Sequence, residues 1–366
     1  MEKHGRRRFR GPGSRLCRAA SRLGAAATSQ PLERRFLLQY RTLGASGLLV
    51  SPVCLGTMTF GTPVSEADSI RLVHEAIDMG VNFIDTANVY EGYRRVLGSP
   101  GGVAEEIVGK ALCDRRDKMI LGTKVGAPIG PGPQDRGLSA VHILRELDRS
   151  LRRLQTDVID LYIIHWPDKH VPIETTLSAL DIAVRQGKIR YFGVSNHSAW
   201  QLSEMLWAAE RQGWPRAVSS QIPFSLLRRE FQHDLPFCAQ HSIGVTPYQV
   251  LQGGLLTGKY RRGQPPPRDS RAAEKPDWIL RTDDAMFGRL EAVEVLALEA
   301  GVPISRYSLA WTLTQPAMVS LVVGVKRIEQ LQDAVAAAGV DLPTEHREKL
   351  DAICPPPWRQ ANPVRG

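Results

Sequence analysis

The sequence lacks the features that would place it in several large classes of protein. No apolar run approaches the ~18 residues that a membrane-spanning helix needs. There is no G-x-G-x-x-G dinucleotide fingerprint, no G-x-S-x-G nucleophile turn, and no H-E-x-x-H pair or other metal-ligand spacing. The five cysteines are odd in number and scattered without a C-x-x-C pair, which predicts reduced thiols in a cytoplasmic protein and no metal site.

Acidic residues are scarce only at the start of the chain. The formal net charge is +9, but residues 1–38 hold ten basic and two acidic side chains and account for +8 of it. The remaining 37 basic and 36 acidic residues leave the body nearly neutral, so a nucleic-acid partner is not expected. We expect residues 1–38 to be a disordered extension, with an organelle transit peptide as the alternative, and residues 39–366 to form the folded domain.

Eight short apolar runs alternate with helical patterns from residue 53 onward. Most runs begin 26 to 40 residues apart, which is the spacing of β-strands joined by helices. Together they predict a (β/α)8 barrel, and residues 40–53 before them predict a β-hairpin that turns at Gly44–Gly47. The strand candidates are residues 53–58, 82–87, 119–125, 160–166, 189–196, 218–224, 244–250 and 320–325.

Polar residues stand where these strands end, at the face of a barrel that carries the chemistry. Asp85, Lys124 and His165 close three consecutive strands, and Tyr90 follows Asp85 in its loop. A tyrosine has a pKa of ~10 and gives up its proton reluctantly near neutrality. An ammonium beside it lowers that pKa, and a carboxylate keeps a buried ammonium charged. The four residues therefore predict a site that protonates a carbonyl oxygen, with His165 orienting the substrate.

Nothing in the sequence supplies a nucleophile to attack the carbonyl carbon, and hydride from a nicotinamide fits that gap. The later strand ends offer suitable contacts for such a cofactor. Tyr248 presents a ring face for the nicotinamide, and Ser195, Asn196 and Gln221 are suited to hydrogen-bond its carboxamide.

At this point the chain resembles the aldo-keto reductase family across about residues 40 to 353. The resemblance implies a (β/α)8 barrel that binds NADP(H) without a Rossmann motif. It also implies that Tyr90 is the general acid and that Asp85, Lys124 and His165 complete the catalytic set. The motifs that carry it are CLGTMTFG (54–61), NFIDTANVY (82–90), LGTKVG (121–126), DLYIIHWPD (160–168), GKIRYFGVSN (187–196), GGLLTGKY (253–260) and VVGVKRIEQL (322–331).

The resemblance further implies where the rest of the cofactor lies. The loop of residues 251–260 covers the pyrophosphate, and Lys326 and Arg327 at the start of the last helix suit a 2′-phosphate, which favours NADP(H) over NAD(H). Ala334 replaces a usual Asn of the adenine-binding motif, and residues 91–102 are an insertion beside Tyr90. The implied contacts beyond the nicotinamide set are Thr57, Leu251, Gly253, Leu255, Lys259, Gly324, Lys326, Gln330 and Asp333.

The substrate is expected to be a small-molecule carbonyl compound, and two classes stay open. Apolar rim residues suit aryl or medium-sized aliphatic aldehydes, whereas Arg94 and Arg95 suit an anionic substrate such as a keto-deoxysugar nucleotide. The residues expected to form the apolar walls are Met58, Phe60, Tyr93, Trp166 and Trp278.

A function of another class is a cofactor-sensing barrel that serves a partner, as in the β subunits of voltage-gated potassium channels. Those subunits resemble the family but have Asn where the catalytic His stands, so His165 favours the enzyme. No membrane partner is expected, and by analogy the chain forms a monomer or a modest homo-oligomer.

Overall fold

The computed structural model describes residues 38–360 of the 366-residue chain. The basic extension expected at the amino terminus lies outside these residues up to position 37, so that expectation and the domain boundary at residue 39 stay predictions. Within residues 38–360, no helix is both long and apolar enough to cross a membrane.

An antiparallel hairpin precedes the barrel, as the sequence predicts. Strand β1 (Arg41–Thr42) pairs with β2 (Leu49–Val50), and the turn at residues 44–47 ends with Gly47 in the left-handed region at φ 72°. The side chain of Arg41 donates to the carbonyls of Leu313 and Met318 at 3.1 and 2.9 Å. The hairpin therefore covers the end of the barrel opposite the predicted site.

Eight parallel strands form the barrel, and each of the first six pairs with the next along the chain. The first and last strands are also neighbours. The last two strands, β9 (Gly244–Val245) and β10 (Leu321–Gly324), are joined by two hydrogen bonds that close the ring. Val245 N–H donates to Ala317 O at 2.8 Å, and Val322 N–H donates to Pro247 O at 2.9 Å. The predicted (β/α)8 barrel is confirmed. The strands are β3 (Val53–Gly56), β4 (Phe83–Asp85), β5 (Ile120–Val125), β6 (Ile159–Ile164), β7 (Ile189–Ser195), β8 (Ser219–Gln221), β9 (Gly244–Val245) and β10 (Leu321–Gly324).

Helices follow the strands and pack their apolar faces on the outside of the sheet. The connection from β9 to β10, expected to hold a surface loop and two helices, contains three, because a four-residue helix lies within the expected loop. The helices are α1 (Glu66–Asp78), α2 (Val103–Ala111), α3 (Ala140–Arg153), α4 (Ile173–Arg185), α5 (Ala199–Gln212), α6 (Leu235–Gln240), α7 (Arg271–Glu274), α8 (Asp284–Glu299), α9 (Ile304–Leu313), α10 (Ile328–Ala336), α11 (Thr344–Ile353) and α12 (Pro357–Gln360).

The cysteines match the expectation of reduced thiols only in part. Cys54, Cys238 and Cys354 are buried and free. Burial raises the pKa of each of these thiols, to about 12 for Cys238 and about 11 for Cys354. For the other two cysteines the expectation stays a prediction. In the described part of the chain, no group of three or more His, Cys, Asp or Glu side chains is assembled for a metal ion.

Candidate active site

Three of the predicted catalytic residues meet at the carboxyl ends of β4 and β5. Lys124 Nζ donates to Asp85 Oδ2 at 2.5 Å, to Thr86 O at 2.9 Å and to Tyr90 OH at 3.1 Å. Lys124 is 0% exposed and Asp85 is 2% exposed. The ammonium therefore lies between a buried carboxylate and the phenol, in the arrangement that the sequence predicts.

The protonation states that follow from this geometry differ in one respect from the expectation. Burial alone would lower the pKa of Lys124, but Asp85 and Tyr90 outweigh it and raise the pKa to about 12. Burial raises the pKa of Tyr90, and the charge of Lys124 only opposes that rise. Lys124 therefore acts on the pKa of Tyr90 in the expected direction, but burial outweighs it and the net pKa is raised. Tyr90 holds its proton at neutral pH and has it available to donate.

His165 follows β6 and stands next to the phenol. Its ring meets the Tyr90 ring edge-on with the centroids 5.9 Å apart, and the Trp166 ring is stacked on it at 6.0 Å. Burial, and then the nearby charge of Lys124, lower the pKa of His165 well below its ordinary value of 6.5. The imidazole is therefore neutral at physiological pH and suited to hydrogen-bond a substrate oxygen.

Two residues predicted to contact the cofactor also hold Asp85. Gln221 Nε2 donates to Asp85 Oδ1 at 2.9 Å, while Thr57 donates through both its backbone N–H and its hydroxyl to Asp85 O at 3.0 Å. Thr57 is 0% exposed and Gln221 is 3% exposed. Each carboxylate oxygen of Asp85 thus accepts one hydrogen bond, from Lys124 or from Gln221, and the bond from Gln221 could not be predicted from the sequence.

The other residues predicted to hold the nicotinamide form one connected network. Tyr248 OH donates to Asn196 Oδ1 at 2.7 Å. Asn196 Nδ2 donates to His165 O and to Ser195 Oγ, both at 2.9 Å. Burial raises the pKa of Tyr248 to about 12, so its phenol stays a donor. This network connects Ser195, Asn196 and Tyr248 to the backbone carbonyl of His165. Their contact with a nicotinamide stays a prediction.

Positive charge gathers near the loop of residues 251–260. The turn over residues 252–257 is interrupted by Gly253 and Gly254, whose φ angles of 64° and 97° a residue with a side chain rarely adopts. Partial burial of its ammonium group, then the neighbouring Lys326, lower the pKa of Lys259; Arg271 and Arg327 add to the effect and Asp269 opposes it. Because these cations repel one another, the region fits an anionic group such as a nucleotide phosphate. Leu251 is half-buried and Leu255 is buried, so this turn can contact a ligand through its backbone groups.

The cations predicted to meet the 2′-phosphate are occupied by two carboxylates. Lys326 Nζ donates to Glu274 Oε2 at 2.5 Å and to Asp269 O at 2.8 Å, and Arg327 donates to Asp269 Oδ2 at 3.0 Å. These acids belong to the segment before and within α7, 52 to 58 residues earlier in the chain. A phosphate at this position would have to replace them.

The predicted adenosine contacts lie on β10 and α10. Gly324 is exposed, and Gln330 Oε1 accepts from Lys326 N at 2.8 Å, which leaves its NH₂ group as a donor. The carboxylate of Asp333 accepts hydrogen bonds from Ser305 and Arg306 of α9, each at 2.5 Å. The adenosine role of Asp333 therefore stays a prediction, since its side chain is already bonded within the fold.

The rim beside His165 differs in two places from the expected substrate walls. Trp166 is 51% exposed and Trp278 is 39% exposed, as walls of an open cleft would be, whereas Phe60 is 0% exposed and belongs to the core. Arg95 donates to Ser99 O at 3.0 Å and to Pro128 O and lies 3.5 Å from Glu91. These partners inside the insertion and the neighbouring loop engage Arg95, so its contact with an anionic substrate stays a prediction.

The pKa directions predict a flat pH profile for turnover around neutrality. Tyr90 titrates above its ordinary value of 10 and His165 well below 6.5, so neither changes its protonation state between about pH 7 and about pH 9. We expect kcat to vary less than about twofold over that range, measured under saturating conditions. A limb with a midpoint near pH 7 would contradict the assigned protonation states.

The closed barrel and the buried carboxylate, ammonium and phenol at its rim define a class, the (β/α)8 oxidoreductases that act on carbonyl groups. The sequence profile of the Aldo/keto reductase family matches residues 52–354, and the chain belongs to that family. It is 37% identical over 328 residues to the Uncharacterized oxidoreductase YrpG of Bacillus subtilis, which covers 87% of this chain and 97% of that protein.

Two further relatives are named for different functions. A Probable voltage-gated potassium channel subunit beta of Arabidopsis thaliana is 33% identical over 314 residues, 83% of this chain and 92% of that protein. The L-glyceraldehyde 3-phosphate reductase of Escherichia coli O157:H7 is 31% identical over 332 residues, 87% of this chain and 93% of that protein. Relatives at similar identity thus include both an enzyme and a channel subunit.

Proposed function

We propose that the protein reduces aldehydes or ketones to alcohols with NADPH, and that Tyr90 supplies the proton. The observation that carries the proposal is the buried contact of Tyr90 OH with Lys124 Nζ at 3.1 Å, with Asp85 behind the ammonium. Ser195, Asn196, Gln221 and Tyr248 would hold a reduced nicotinamide, which would supply hydride to the carbonyl carbon.

The side chains divide the remaining chemistry among them. Neutral His165 donates a hydrogen bond to the carbonyl oxygen and orients it towards Tyr90. As negative charge develops on that oxygen, Tyr90 transfers its proton to it. Lys124 stabilises the resulting phenolate, and Asp85 keeps the ammonium charged and in place. The same groups in reverse serve alcohol oxidation.

For the substrate, the exposed aromatic rings support aryl or medium-sized aliphatic carbonyl compounds. Trp166 is stacked on His165 and stays half exposed, so an apolar substrate that reaches the imidazole also contacts this indole. Because Arg95 is bonded to neighbouring loop residues, the case for an anionic substrate rests on the exposed Arg94 and on the similarity to the L-glyceraldehyde 3-phosphate reductase.

The second candidate function is cofactor binding in the service of a partner, which the channel-subunit relative supports. His165 supports the enzyme instead, since it completes a proton-donating site that pure binding does not need. The predicted cytoplasmic location and the monomer or modest homo-oligomer fit either function and stay predictions.

The proposed function is tested by incubating the protein with NADPH and a panel of aldehydes and ketones, and following the loss of reduced nicotinamide by absorbance. The panel contains aryl, aliphatic, phosphorylated and sugar-nucleotide carbonyl compounds at matched concentrations. We expect turnover of at least one class, with aryl aldehydes best. Tight binding of NADPH with no turnover of any compound would favour the binding function.

Lys326→Met is expected to reduce the preference for NADPH over NADH. A charge-assisted hydrogen bond contributes about 1.5–3 kcal/mol, so we expect roughly 10- to 100-fold weaker NADPH binding and little change for NADH. Titration of the cofactor's fluorescence measures both dissociation constants. Lys188→Met is the matched control, because Lys188 also pairs with a carboxylate, Asp148 at 2.7 Å, but away from the predicted cofactor residues. Equal weakening of both cofactors would contradict a 2′-phosphate contact.

A further inference from the structure

A buried carboxylate lies behind the candidate site and is not among the residues assigned to it so far. Glu105, near the start of α2, is 0% exposed. Its Oε1 accepts a hydrogen bond from Thr123 Oγ1 at 2.5 Å, and its Oε2 accepts one from Arg153 Nε at 2.7 Å. Thr123 is also 0% exposed. The carboxylate therefore joins α2 to strand β5 and to helix α3.

These contacts connect the two residues of the proposed proton transfer. Thr123 directly precedes Lys124 in β5, so its side chain points outward to the helices while that of Lys124 points into the site. On the other side of Glu105, the N–H of Ala104 donates to Tyr90 O at 3.0 Å. The contact between Tyr90 OH and Lys124 Nζ at 3.1 Å completes a closed ring. Movement of α2 relative to β5 would therefore change the distance between phenol and ammonium.

Stability alone does not require an ionised group at this position. Burying an ion pair costs desolvation energy, and a well-packed apolar pair is often as stable or more so. Short charge-assisted hydrogen bonds differ from apolar contacts because they fix direction and distance. Helix α3 also comes close to α2, since a Cβ placed on Gly109 would lie 2.4 Å from Arg153 O. The arrangement therefore fixes the position of helix α2, next to Tyr90, relative to strand β5, which holds Lys124.

We propose that Glu105 is a positioning residue which, through Thr123, sets the distance between the Tyr90 phenol and the Lys124 ammonium. The proposal rests on the proposed carbonyl reduction for its effect on rate, whereas the position of Tyr90 is measurable without turnover.

Thr123→Val tests the connection with little change of shape, because it removes the hydroxyl and keeps a β-branched side chain in the strand. Displacing a reacting group by about 1 Å costs on the order of 10²-fold in rate. We expect kcat to fall at least about tenfold, with the KM for the carbonyl and the Kd for NADPH within about twofold of the parent. Thr123→Ser keeps the hydroxyl and should restore most of kcat.

Thr312→Val is the matched control for the loss of a buried hydroxyl. Thr312 is 0% exposed and bonds Ser308 O at 2.9 Å within α9, away from Tyr90. This variant should lower the melting temperature slightly and leave kcat unchanged. If Thr123→Val behaves as Thr312→Val does, with a change in melting temperature alone, Glu105 and Thr123 are merely structural and the inference is wrong.

A readout independent of turnover is the NMR signal of Tyr90 in protein labelled with 13C at tyrosine Cζ, assigned by its loss in Tyr90→Phe. Thr123→Val should shift this signal and raise the pKa of Tyr90, because Lys124 lowers that pKa and would lie farther away. Thr123→Ser and Thr312→Val should leave the signal in place. An unmoved signal in Thr123→Val overturns the inference whether or not the parent reduces a carbonyl. An inactive parent, by contrast, overturns the proposed function.

Discussion

Tyr90→Phe should lower kcat by about 10²- to 10⁴-fold, which is the contribution that a positioned general acid makes. The substitution removes only the hydroxyl that lies 3.1 Å from Lys124 Nζ, while the ring keeps its edge-on contact with His165. Because Tyr90 holds its proton near neutrality, the variant loses the group that neutralises the developing alkoxide. Steady-state turnover of the best carbonyl compound from the panel measures the effect.

Binding of NADPH separates the loss of chemistry from the loss of fold in this variant. The Kd for NADPH should stay within about twofold of the parent, since none of the predicted cofactor residues contacts the Tyr90 hydroxyl in the described network. The Tyr248→Phe variant is a matched control, because it removes another rim phenol, one that donates to Asn196 at 2.7 Å. Its effect should appear mainly in cofactor affinity. A Tyr90→Phe variant with parental kcat would refute the assigned acid.

Lys124→Met should cost both activity and stability. Removing one partner of a buried ion pair leaves the other charge uncompensated, and here the carboxylate of Asp85 is 2% exposed. We expect a loss of about 3–5 kcal/mol in the free energy of unfolding, measured by denaturant titration. Turnover should fall at least as far as in Tyr90→Phe, because the pKa of Tyr90 rises further and the phenolate loses its cation.

A second substitution tests the reason for that instability. Asp85→Asn added to Lys124→Met removes the lone charge, so stability should recover substantially while turnover does not. In the parent, Lys124 has its pKa raised from 10.5 to about 12. Its ion pair therefore contributes fully to stability below about pH 10.5, and that contribution is lost as the pH rises through about 12. The stability of Lys124→Met should therefore not show this decrease at alkaline pH. A Lys124→Met variant as stable as the parent would contradict the buried ion pair between Lys124 and Asp85.

The architecture could be predicted because the spacing of apolar runs needs no knowledge of partners. The ends of the strands were less well defined. Residues 244–250 form only the two-residue strand Gly244–Val245, and Pro247 within that run has no N–H for the ladder. The predicted convergence of Asp85 and Lys124 was robust to such errors, since residues at the carboxyl ends of parallel strands meet at one face whatever the exact strand length.

The partners of the charged residues could not be predicted, since they come from distant parts of the chain. Lys326 is bonded to Glu274, 52 residues earlier in the chain, and Asp333 to Arg306, 27 residues earlier. The raised pKa of Tyr90 likewise depends on how deeply the phenol is buried. The buried partners of Glu105 could not be predicted either. Its link to Thr123 appears once α2 is packed on β5.

The most direct test of the account is isotope transfer from NADPH deuterated at C4 of the nicotinamide, with the product analysed by mass spectrometry. The account predicts that the alcohol gains one deuterium at the former carbonyl carbon, and that Tyr90→Phe forms the same labelled product far more slowly. An unlabelled alcohol, formed from NADPH deuterated at either face of C4, would contradict hydride transfer at this site. Absence of any alcohol despite tight NADPH binding would contradict the proposed catalysis itself.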